Sequence, residues 1–197
     1  MTSFEAYLRL GFAHITDLAG YDHILFIVAL CAIYQLPDWR RILILVTAFT
    51  VGHSVTLALA TLQLFTYRNE VIEFLIPVTI FITAVGNLFV IRGKSPAKKG
   101  ASGYGRYVLA LLFGLIHGLG FSNFLRGMLG REASIVKSLL AFNIGLEIGQ
   151  LLIVLIVLVL AFLFVRLLRI AHRDWNLVVS GAVAGIALTL IRSAWIF

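Results

Sequence analysis

Six stretches of the chain are apolar for about the roughly 20 residues that a membrane-spanning helix needs. They lie near residues 22–37, 41–65, 71–91, 106–126, 134–165 and 175–196. A water-soluble domain of 197 residues could not bury so much hydrocarbon: 61% of the residues are hydrophobic, 13% are charged, and the mean hydropathy is +1.02. The expected fold is therefore all-α, a polytopic transmembrane helix bundle of six spanning helices in one domain covering residues 1–197. Residues 4–18 read as an amphipathic or partly inserted segment before the short first span, or as a seventh crossing.

The net charge of +7 would suggest nucleic acid on a soluble domain. Here the lysines and arginines lie between apolar runs, which makes them topology signals and lipid headgroup contacts and excludes the nucleic-acid reading. Residues 92–106, rich in Gly, Ser and Lys, read as a basic cytoplasmic loop. With six spans, the loops after helices one, three and five hold ten basic residues and the other side six. The positive-inside rule then places both termini outside, across a bacterial cytoplasmic membrane. The first membrane helix is expected to act as the insertion signal, since the start lacks a basic region and a cleavage site. Cys31 is the single cysteine, so no disulfide or thiolate metal site can form within the chain.

Charged side chains cost about 2.5–3.5 kcal/mol at the centre of a membrane helix, so those present there point to function. His14, Asp17, Asp22 and His23 cluster in "GFAHITDLAGYDHILF"; His53 sits in "FTVGHSVTL" and His117 in "FGLIHGLGF". "FNIGLEIGQ" puts Asn143, Glu147 and Gln150 on one stripe. Imidazole and carboxylate suit zinc, nickel, iron or copper(II), so the expected occupant is a divalent transition metal, nickel or zinc. The candidate ligands are His14, Asp22, His23, His53, His117 and Glu147, with Asn143, Gln150, Thr50 and Ser54 supporting them. Each has a bland alternative: a histidine bonded within the core, an N-cap at Asp22, and interfacial water at His14 and Asp17. His172, in a basic loop, reads as solvated. Gly114 and Gly118, and separately Gly145 and Gly149, have the spacing that lets helices approach closely.

These segments, in this order from residue 11 to 150, resemble the HupE/UreJ family of hydrogenase and urease accessory membrane proteins, in the branch with a "GxxHIxxGxDHxLF" start. The resemblance implies a small polytopic protein that carries nickel or a related divalent cation. Where the nickel-permease branch has two histidines and a glutamate in its later motif, this chain has Phe113, His117 and Gly120. Two functions compete, beside a non-catalytic reading as a structural or accessory subunit whose polar residues tie helices together. One is a metal permease whose cation is gathered at His14, Asp22 and His23 and held at His53, His117 and Glu147, with metal ion and membrane lipids as partners and homo-oligomers allowed. The other is an intramembrane zinc hydrolase acting on a lipid or embedded peptide, with Glu147 or Asp22 as general base. A serine protease is disfavoured: Ser54 adjoins His53 in sequence, so the two do not face each other, and no GxSG motif is present.

Overall fold

A computed structural model describes residues 2–64, 66–90, 100–129 and 135–195, with the side chains of 104–128 within the third of these segments. Every regular element among them is helical: α1 Ser3–Ile15, α2 Asp22–Cys31, α3 Trp39–Thr61, α4 Asn69–Leu88, α5 Gly100–Leu129, α6 Ile135–Phe162 and α7 His172–Ser193. Five helices, α3 to α7, are long and apolar enough to cross a membrane, which supports an integral membrane protein.

The first expected span, 22–37, is corrected. Its helix ends at Cys31, and ten residues rise only about 15 Å. The chain then turns extended at Gln35 and makes a 3-10 turn at Leu36–Asp38, with Pro37 in its first positions, before α3 begins. Residues 4–18 do not form a seventh crossing by themselves either. α1 has 13 residues, starting at a Thr2 cap whose hydroxyl accepts from the Glu5 N–H while Glu5 returns the bond. Of the basic loop, residues 92–99 lie outside the described residues, and 100–106 already form the first turns of α5. α6 runs on into a π-helical turn at Leu163–Leu167.

Glycines set the closest packing. A Cβ on Gly52 would collide with the Leu111 carbonyl, and one on Gly114 or Gly118 with the carbonyls of Phe49 or His53. α3 and α5 are therefore in backbone contact and run parallel. The same holds for α1 and α6, where Gly11 meets Phe142, Gly145 meets Leu8 and Gly149 meets Ile15. α4 runs against α5, with Thr79 at His117 and Asn87 at Arg106. α2 runs with α4: His23 lies beside His117, and Ala29 accepts a bond from Asn87. Asn87 and Asn176 bond where the end of α4 meets the start of α7. The core, around Phe26, Phe49, Phe142 and Leu146, lies where these pairs converge.

Candidate functional site: four imidazoles in an aromatic box

Four of the five histidines meet in this core, brought there by four different helices. The rings of His14 and His23 are 4.7 Å apart, His23 and His117 5.1 Å, His23 and His53 5.7 Å, and His14 and His53 6.1 Å. Imidazoles around one tetrahedral metal, with metal–nitrogen bonds of about 2 Å, have centroids about 5 Å apart. The four separations lie near that value. As they stand, no group of three or more His, Cys, Asp or Glu among the described residues forms a finished metal shell. The rings are tilted, and closing on an ion requires them to turn.

The hydrogen bonds fix which nitrogens are free to do this. Thr79 has one hydroxyl proton, placed on the Ile76 carbonyl at 2.7 Å. Its oxygen must then accept from His117 Nε2, 2.9 Å away. A neutral ring with N–H at Nε2 carries its lone pair on Nδ1, and His117 Nδ1 has no partner among the described residues. His23 follows the same logic: Nδ1 donates to the Asp22 carboxylate at 3.1 Å, and Nε2 is left buried and unpartnered. A carboxylate behind a histidine is a recurring way to orient a metal ligand. His14 Nε2 and both nitrogens of His53 are also unpartnered among the described residues. Orphaned buried nitrogens are costly.

The surroundings are largely aromatic. Phe121 lies 3.9 Å from the His14 ring, Phe142 stacks on Phe121, and Phe26 and Phe49 lie 5.1 and 5.2 Å from His117. His53 and His117 are fully buried. Asp22 lines a half-open cavity of about 250 Å³ that also borders Glu73, Pro77 and Leu190.

The other expected residues are placed elsewhere. Glu147 follows Phe142 by five positions, about 140° around α6, and accepts a bond from Thr47 on α3 at 2.8 Å. Gln150 accepts from Thr50 at 2.6 Å, and Ser54 bonds the Thr50 carbonyl. Asn143 is half-buried, its Oδ1 without a partner. The Thr47–Glu147 and Thr50–Gln150 bonds stitch α3 to α6. Asp17 is exposed, as expected, and holds the Ala19 N–H. His172 is not simply solvated: it is half-buried at the start of α7, against the Tyr34 backbone. Sequence reasoning missed Thr79 and the four phenylalanines. Nothing near Thr79 in sequence marks it, whereas Phe49-x-x-Gly52 and Phe142-x-x-Gly145 form a repeated signature that was available.

The family model described as HupE / UreJ protein matches residues 1–197, the whole chain, and the chain belongs to that family. No curated protein and no solved structure matches it.

Proposed function

We propose that this HupE/UreJ protein is a permease for a divalent transition-metal cation, nickel or a close relative, and that the ion passes through the four-histidine site. The family carries the coarse part of this reading, a role in nickel or metal handling. The finer part rests on one observation: imidazoles from α1, α2, α3 and α5, three of them buried and His14 half-buried, lie ring against ring and keep ring nitrogens without a partner among the described residues.

In this reading His14, His23, His53 and His117 take the ion by exchanging its water shell for neutral nitrogen donors. Asp22 does two jobs. It holds His23 in the right tautomer, and at the edge of the half-open cavity it draws the cation in. Thr79 holds the tautomer of His117. Glu147 is the remaining carboxylate of the set; facing Thr47, its part is to offset the ion's charge from the α3–α6 seam without binding it directly. An unfinished shell suits a carrier, because an ion that must leave again should not be gripped in a closed tetrahedron. A hydrolase needs a carboxylate beside the metal-bound water. Asp22 is held by His23, and Glu147 points to α3, so zinc hydrolysis is the weaker reading.

The test is uptake of nickel(II) into liposomes containing the purified protein, beside His53→Ala and His117→Ala. Uptake by the wild type that is lost in both variants, at unchanged folding, is expected. Uptake unaffected by either variant would overturn the proposal.

A further inference from the structure

The two glycine contacts are the same contact made twice. On α1, Gly11-x-x-His14 packs its glycine on Phe142-x-x-Gly145 of α6; on α5, Gly114-x-x-His117 packs its glycine on Phe49-x-x-Gly52 of α3. The atoms correspond one by one. Gly11 faces Phe142 O and Leu146 N, Gly114 faces Phe49 O and His53 N, Gly145 faces Leu8 O and Phe12 N, and Gly52 faces Leu111 O and Leu115 N. Burial corresponds as well: Val51 and Val55 face outward as Ile144 and Ile148 do, while Phe49, Gly52 and Thr56 face inward as Phe142, Gly145 and Gly149 do. The next step along each pair even exchanges its small partner, Ile15 against Gly149 in one and Gly118 against Thr56 in the other.

We infer that the chain is an inverted structural repeat, α1–α3–α4 and α5–α6–α7, with α2 inserted into the first copy and the histidine site on the interface between the copies. The helix directions require the inversion. α1 runs with α6 and against its counterpart α5; α3 runs with α5 and against its counterpart α6; α4 and α7 lie antiparallel. A two-fold axis in the membrane plane exchanges all three pairs. For the first copy to match the second, α1 must enter from the face opposite to the start of α5. α1 and α2 then share one broken crossing, and their 13 and 10 residues rise about 35 Å together, enough for the hydrocarbon core.

The repeat says how the site is reached. His14 and His117 are counterparts across the axis, so an ion among them belongs to neither half. Inverted repeats with a site at their interface can rock to expose it to one face and then the other. One route is visible already: a half-open cavity of about 340 Å³ reaches from Arg106 to Phe113, and Phe113 packs on Phe26, which packs on His117. The counterpart of Phe113 is Leu10, so the second route runs past Leu10 to the opposite face. Only the use of these routes rests on the transport reading; the repeat rests on packing.

Single cysteines placed in a Cys31→Ala background test this with a membrane-impermeant maleimide on right-side-out and inverted vesicles. Tyr104→Cys and Phe113→Cys are expected to react from one face, and Ser3→Cys and Leu10→Cys from the other. Labelling of Ser3→Cys and Tyr104→Cys from the same face would overturn the repeat. A folded Leu10→Cys protein that reacts from the Phe113 face, or from neither face, would overturn the second route. Absent nickel uptake alongside opposite-face labelling would remove the transport reading and leave the repeat standing.

Discussion

The α1–α6 crossing and the α3–α5 crossing share a backbone arrangement and differ in chemistry. Both bring a glycine against a Phe-x-x-Gly segment, and both set a histidine one turn after that glycine. In the α3–α5 pair the Phe-x-x-Gly segment is followed by His53; in the α1–α6 pair the same place holds Leu146. Ser54 likewise stands where α6 has Glu147, and Leu57 where it has Gln150. The packing is what the two halves have in common, and the side chains at which they diverge are those that can bind or offset charge. Asp22 and His23 come from α2, the one helix without a counterpart. A symmetric frame thus carries an asymmetric site.

The largest test of this comparison is to break the shared packing in each half. Gly11→Val and Gly114→Val each drive a branched side chain into a backbone carbonyl, a position with no flexible atom to give way. Both should lower the thermal midpoint in detergent strongly and to a similar extent, since overpacking commonly costs about 1–3 kcal/mol and the backbone here cannot yield. A severe loss in one and tolerance in the other would show that the crossings are not equivalent.

A second test sharpens the chemical difference. Replacing either counterpart histidine, by His14→Ala or His117→Ala, should abolish nickel(II) binding measured by titration calorimetry while the far-ultraviolet spectrum stays helical. Replacing what holds the rings should cost less. Thr79→Val frees the tautomer of His117, and Asp22→Asn weakens the hold on His23. Loss of such an orienting partner typically costs about 10–100-fold in affinity, with the stoichiometry unchanged. Complete loss of binding in Thr79→Val would mean that the hydroxyl itself is a ligand.

How much of this could be read in the sequence follows from what determines each feature. Five spanning helices are set by long apolar runs, a local property, and they appear within a few residues of expectation. The short first span is misjudged because hydropathy does not see the chain leave the helix at Cys31 and turn at Gln35 to Asp38. His14, Asp22, His23, His53 and His117 stand out because the membrane makes their presence costly, and the fold does collect them. Glu147 stands out for the same reason, yet it faces Thr47, because cost alone does not tell which side of a helix meets which neighbour. Thr79 is ordinary in sequence and matters only through a bond made across 38 positions. The glycine spacings are visible, but their partners depend on tertiary packing: α1 reaches past four other helices to α6.

That last limit gives the gentlest prediction, on a third glycine pair. Gly181 and Gly185 on α7 have the same spacing as Gly145 and Gly149, yet a Cβ on either would meet nothing within 4 Å. The pair is bracketed by Val178 and Leu188, which are 70% and 51% exposed, so among the described residues this face packs on no helix. For a monomer in detergent, Gly185→Ala should leave the thermal midpoint unchanged or raise it slightly, because alanine is better than glycine inside a helix by up to about 1 kcal/mol. Small-xxx-small pairs serve between chains as well as within them, and a second copy of α7 seated here would feel the added methyl. A lowered midpoint, together with a shift to smaller mass in light scattering, would therefore place a homo-oligomeric contact on α7. An unchanged mass with an unchanged or raised midpoint would confine the functional use of glycine to the two crossings that build the histidine site.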